Sequence, residues 1–247
     1  MISSKITAFI SGKTSFEGSA FVNQKFDVRK VVIGFIWFGF TVYILWLAPL
    51  DQPETLPIVR NLLTFQLAEV NSYLVAIFWL MGVWPMIYAC LMFVDARMQG
   101  FPASLYFLAA NATGIIGLAP YLMLRPRHQA FWGKKDKLLQ ILELHGTGIF
   151  LSLATIGLVS YALCSEDWQD FVYQWRTVPF VHLITLDFCF MGLFFPLSSL
   201  LEDDMARRGL TDPRIFWGVA LLPLFGPLAY LCFRPPLKEG GSPSSQS

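Results

Sequence analysis

Asp187 stands inside an apolar run, with Leu183, Ile184, Phe190 and Met191 at its helical neighbour positions. A carboxylate at mid-bilayer depth costs roughly 3 kcal/mol on insertion scales and faces a bundle interior or a cavity. Such a carboxyl could donate a hydrogen bond or act as a general acid. The competing reading is a polar clasp onto Asn111, Thr113 or a backbone carbonyl of a neighbouring helix. His182 lies five residues earlier, a rotation of about 140° on a regular helix, so it does not share a face with Asp187. The two are candidate catalytic residues without forming a simple dyad. Asn111, Thr113 and Thr185 are the candidate pocket-lining polar side chains. Glu143 and His145 open a further apolar segment and carry the same ambiguity. His128, His145 and His182 are far apart, and Cys90, Cys164, Cys189 and Cys232 are isolated in or beside apolar runs. No metal site is readable, the residues leave any cofactor open, and the thiols read as small hydrophobes.

The elements that position these groups follow from composition. Hydrophobic residues make up 55% of the chain and charged residues 14%, where a soluble domain carries about a quarter charged. Six segments are apolar enough to be read as spans at about 20 residues each: Val31–Leu50, Ser72–Val94, Ala103–Leu124, Leu142–Cys164, Val178–Leu201 and Ile215–Phe233. No ten-residue alternation of a membrane barrel is present. The fold class is therefore all-α, a polytopic membrane protein of about six transmembrane helices. The net charge of +1 is uninformative, but the lack of a Lys/Arg-rich tract argues against a nucleic-acid partner; the bilayer is the expected one.

The segment from Asp95 to Pro126 recurs 109 residues on. Asp95, Gly100, Phe107, Gly117, Tyr121, Leu122, Arg125 and Pro126 match Asp204, Gly209, Phe216, Gly226, Tyr230, Leu231, Arg234 and Pro235. With one span between the third and the fifth, matching helices run in opposite directions. The expectation is a 3+3 inverted repeat about an axis in the membrane plane, with the Asp95–Gly100 and Asp204–Gly209 turns on opposite sides. The chain then divides into a polar N-terminal tail (1–30), a first three-helix repeat (31–126), a basic and aromatic surface loop (127–141), a second repeat (142–236) and a disordered C-terminal tail (237–247). In this arrangement Lys and Arg divide evenly between the two sides, so the positive-inside rule gives no orientation.

The paired span ends read as membrane-interface anchors: Tyr121 and Tyr230 in the aromatic belt, Arg125 and Arg234 snorkelling to phosphates, and a proline stopping each helix. Trp132, with Lys134, Lys135 and Lys137, reads as a surface anchor of the same kind. Pro57–Leu67 places Ile58, Leu62 and Phe65 against Arg60, Asn61 and Thr64, as in a short interfacial helix. The cluster Glu202-Asp203-Asp204 with Arg207-Arg208 reads as a solvated helix end. Pro85, Pro120, Pro196, Pro223 and Pro227 imply kinks that could line a pocket.

The segment His182-Leu-Ile-Thr-Leu-Asp187-Phe188, then Asp204, Arg208-Gly209, and Phe225-Gly-Pro-Leu228 with Tyr230-Leu231, resembles the plastid and cyanobacterial membrane-protein family associated with neoxanthin synthesis. The resemblance covers about residues 178–236. The interval from Asp187 to Gly209 is about two helical turns longer here, and the first half has no counterpart. It implies a thylakoid or related membrane and a carotenoid or other isoprenoid partner. Two readings stay open: an isoprenoid enzyme or carotenoid-binding protein, with Asp187 as donor, or a non-enzymatic assembly or scaffold factor docked on other membrane proteins. A small transporter is a third.

Overall fold

The computed structural model describes residues 27–47, 49–99, 102–127, 130–131 and 134–237; most of the two tails, and Trp132, lie outside them. Among the described residues, four helices are long and apolar enough to cross a membrane: α1 (Val28–Leu47), α3 (Ser72–Ala96), α7 (His145–Leu163) and α9 (Pro179–Leu197). The short helix α2 (Thr55–Leu63) sits between the first two, close to the interfacial helix expected there. Its counterpart α8 (Trp168–Thr177) sits between the last two. The shorter α6 (Lys137–Glu143) leads into α7. Asn71 starts α3 by accepting hydrogen bonds from the amides of Tyr73 and Leu74, which satisfies two of the four orphan donors of a helix start.

The third and sixth apolar segments do not span. Ala103–Leu124 breaks into α4 (Ala103–Thr113) and α5 (Ile115–Leu124) at Gly114, whose φ of 58° is open to glycine and strained for other residues. At 1.5 Å per residue, arms of this length reach only about half-way across a core of about 30 Å. The arms fold back on each other: a Cβ on Gly117 would overlap the Ala109 backbone, and Gln99 Nε2 at the hairpin mouth bonds the Pro126 carbonyl at 3.0 Å. The second copy does the same. After the short α10 (Leu200–Arg207), α11 (Pro213–Ala220) and α12 (Phe225–Phe233) form a hairpin. Its tip has Leu224 at φ 67°, a Cβ on Gly226 would overlap Val219, and Arg208 Nη1 bonds the Pro235 carbonyl at 2.7 Å.

Two re-entrant hairpins replace two spans, and this corrects the inverted repeat. Each half crosses twice, so both start and finish at the same end of the bundle, as in a direct repeat about an axis along the membrane normal. The two turns expected on opposite sides meet: Arg125 pairs with Asp203 at 2.5 Å, and Arg207 with Asp95. The start of α1 joins them, with Arg29 on Glu202 at 2.8 Å and Lys30 Nζ on the Arg125 carbonyl at 2.6 Å. At the far end, Ser72 Oγ donates to Asp167 at 2.6 Å and Asn71 to Asp170 at 2.8 Å. The signal that misled is length: 22 apolar residues fit one span as well as two half-spans, and only Gly114 and Gly117 mark the fold-back.

The core centres on α3. Two thirds (67%) of its apolar window is buried inside the protein, against 11% for α1, 22% for α7 and 28% for α9. The other spans therefore present wide apolar faces outward, among them Phe35, Phe38 and Trp46 on α1.

Redistribution of the ends also breaks the tie in Lys and Arg. Among the described residues, only Arg60 on α2 and Arg176 on α8 belong to the far end; the rest gather at the hairpin mouths. By the positive-inside rule the mouths face the side from which the chain is inserted. In a cysteine-free background, Met98→Cys and Thr211→Cys should react with a membrane-impermeant thiol reagent from one and the same side, and Gln66→Cys from the other. Labelling of Thr211→Cys together with Gln66→Cys would restore the six-span topology.

Candidate functional site

Asp187 lies mid-way along α9 and reaches the tip of the first hairpin. Its Oδ1 accepts the Ile115 amide at 2.9 Å, the first N–H of α5. Backbone donors at membrane depth must find partners inside the protein, and a carboxylate at a helix N-terminus also meets the positive end of the helix dipole. The fit is close enough that a Cβ on Gly114 would overlap the Asp187 carboxylate. A second bond fixes the same tip: Trp37 Nε1 on α1 donates to the Ile116 carbonyl at 3.0 Å.

The other polar residues singled out by the sequence do not converge on Asp187. His182 Nε2 lies 3.0 Å from the Tyr43 hydroxyl, and its Nδ1 lies 3.2 Å from the Trp175 carbonyl. Thr185 donates back to Val181, Asn111 to Phe107 and Thr113 to Ala109, each four residues earlier on its own helix. Asn111 and Thr113 are exposed. The partner of Asp187 is thus a backbone amide that no side-chain pattern announces.

Tyr121, Arg125, Tyr230 and Arg234 are corrected from interface anchors to interior groups, all at most 5% exposed. They form two matching sets. Asp95 Oδ2 accepts from Tyr121 Oη at 2.8 Å, Arg125 Nε at 2.8 Å and Gln99 Nε2 at 3.0 Å. Asp204 Oδ2 accepts from Tyr230 Oη at 2.7 Å, Arg208 Nε at 2.8 Å and Arg234 Nη1 at 3.5 Å. Each arginine also crosses to the other half: Arg125 Nη1 bonds the Ser198 carbonyl and Arg234 Nη1 the Cys90 carbonyl, both at 3.2 Å. Glu143 completes the second set, with Arg208 at 2.5 Å and Arg234 at 3.1 Å. The supposedly solvated cluster is buried too, with Asp203 and Asp204 at 0% exposure. Burial explains the inward turn: Asp95, Asp203, Asp204 and Glu143 balance Arg125, Arg207, Arg208 and Arg234, and ions leave water only when paired and hydrogen-bonded. The repeat held the clue in its fixed Asp-to-Tyr and Asp-to-Arg separations of 26 and 30 residues.

A cleft of about 760 Å³ opens under the second hairpin. Its walls come from α3 (Tyr73, Leu80, Trp84), the end of α7 (Val159, Leu163), α9 (Phe188, Gly192, Pro196) and the α11–α12 tip (Trp217, Pro223, Phe225). It exists because the two hairpins dock differently. α4 packs along α3, whereas its counterpart α11 packs on α12 with at most marginal contact to α9. Leu193, Trp217, Leu221 and Phe225 are each 45% or more exposed, so the cleft is open to the side. No described group of three or more His, Cys, Asp or Glu could hold a metal ion. Comparison with family models, curated proteins and solved structures returned no match.

Two outcomes follow. Asp187→Asn keeps an oxygen to cap α5 and should cost little, whereas Asp187→Leu leaves the Ile115 amide bare and should destabilise by about 1–2 kcal/mol, read as a lower Tm in detergent. Loss of function with an unchanged Tm in Asp187→Asn would instead mark a proton donor. The second concerns acid. Burial alone would raise the carboxyls of Asp204 and Glu143, but Arg208 and Arg234 outweigh it and hold both below their ordinary values. With folded values below unfolded ones, their stabilisation is complete above the unfolded values and is lost as pH falls through the folded ones. Their contribution should be constant above about pH 5 and lost below about pH 4, so the Tm in a detergent melting series should drop across that acid range.

Proposed function

We propose that this integral membrane protein binds an isoprenoid lipid of carotenoid type in the cleft under the second hairpin, in a membrane of the thylakoid or a related kind. The observation that carries the reading is the cleft itself: apolar, walled by Tyr73, Trp84, Phe188, Trp217 and Phe225, and open sideways. Binding sites for small molecules fall in this size range and have this lining. At about 30 Å³ per water-sized group, the space holds on the order of 25 heavy atoms, well short of a whole carotenoid. One end group and part of the chain fill the cleft, and the rest lies among lipid tails.

The resemblance in residues 178–236 supports the ligand class by analogy. Several of its residues, Asp204, Arg208 and Tyr230, hold the hairpin mouth, so the likeness speaks first to a shared scaffold. Asp187 is not among the walls of the cleft and serves the tip of the other hairpin. Binding and presentation of the lipid therefore fit the geometry better than acid catalysis by Asp187.

Purification in mild detergent, with visible absorption and mass spectrometry of the extract, tests the reading. The expected result is a polyene spectrum with near-stoichiometric isoprenoid. Colourless, isoprenoid-free protein that purifies with a stoichiometric membrane complex would replace it with the scaffold reading, and the exposed aromatic face of α1 (Phe35, Phe38, Trp46) would then be the docking surface.

A further inference from the structure

The two hairpin tips differ in one respect that bears on what the cleft accepts. At the first tip the leading amide of α5 is capped by Asp187, and Trp37 Nε1 holds the next carbonyl. At the second tip no side chain caps α12. The position on α3 that corresponds to Asp187 is Phe78, 109 residues earlier, which has no oxygen to offer. Beside this tip stands Trp84, 1% exposed and a wall of the cleft, whose Nε1 has no hydrogen-bond partner among the described residues. The Cζ2 edge of its indole, next to Nε1, would lie 3.4 Å from a Cβ on Gly192, with Pro223 Cβ at 3.6 Å from the same point. The edge of the indole beside the unpaired N–H is therefore at the junction of α3, α9 and the α12 tip. A buried donor without a partner is destabilising, and the half-helix start adds a positive dipole end to the same place.

We propose that the cleft selects a lipid with an uncharged hydrogen-bond acceptor oxygen on its buried end, a ring ketone, epoxide or hydroxyl. The oxygen takes the Trp84 N–H at the α12 tip, so the ligand supplies to the second hairpin the kind of acceptor that Asp187 supplies to the first. The described walls of the cleft carry no Lys or Arg, which favours a neutral oxygen over a carboxylate. This inference rests on the isoprenoid reading and adds the end group to it.

The test compares two carotenoids that differ by one oxygen, β-carotene and its 4-keto derivative echinenone, loaded into the purified full chain in nanodiscs. Wild type should retain echinenone about tenfold better than β-carotene, with the bound ketone absorbing at longer wavelength than in detergent alone. Trp84→Phe keeps an aromatic wall and loses the N–H; its ratio of echinenone to β-carotene retention should fall to about one, with no shift. Equal retention of both by wild type, without a shift, would overturn the polar anchor while leaving the isoprenoid reading intact. Retention of neither would overturn both. Should Trp84→Phe fail to fold, the wild-type ratio and shift still decide.

Discussion

The pairing of Asp95 with Arg125 and of Asp204 with Arg234 is the constraint on which the rest of the structure depends. A chain that enters the bilayer, turns half-way and leaves by the same side carries a tip full of backbone groups and has no full-length helix to hold it. What fixes it is the mouth, where the arginine ending each hairpin is tied to the aspartate that precedes it. Because each arginine also bonds a carbonyl of the opposite half, the same charges that close a hairpin clamp the halves together. Removing one member of such a buried pair costs about 3–5 kcal/mol, more than the pair itself contributes, because the survivor is left unpaired.

The helical membrane class was legible in composition, and the repeat was legible in Asp, Gly, Tyr, Arg and Pro at one offset. Topology was not, because hydropathy measures the apolar content of a segment and not whether it turns. Gly114 and Gly117 carry that information, and a glycine in an apolar run looks the same whether it bends a span or packs one. The charged residues were assigned by nearness to span ends, where Arg125 and Arg234 have water and phosphate within reach. Only the three-dimensional return of the chain to Asp95 and Asp204 offers them something better. Asp187 was legible as a group needing a partner, yet its partner, the Ile115 amide, exists only once the hairpin has formed.

The cleft is a product of broken symmetry. The halves share the Asp–Tyr–Arg bonding of their mouths, down to Gln99 and Arg208 bonding the carbonyls of Pro126 and Pro235. They part in how the hairpins dock: the first tip is filled by Asp187 and Trp37, whereas the α11 arm of the second stands away from α9. A scaffold of paired halves thus keeps one for stability and leaves the other with room for a ligand.

The even number of crossings in each half has a consequence for how such a chain can arise. A unit that begins and ends on one side can be copied in tandem and inserted again without reversing its direction, so duplication of one gene segment yields both halves in register at a single step. An odd-span unit must first exist in two opposite orientations before its copies can be joined. Here the second copy meets the first already facing it, with its arginine at the height of the other's aspartate.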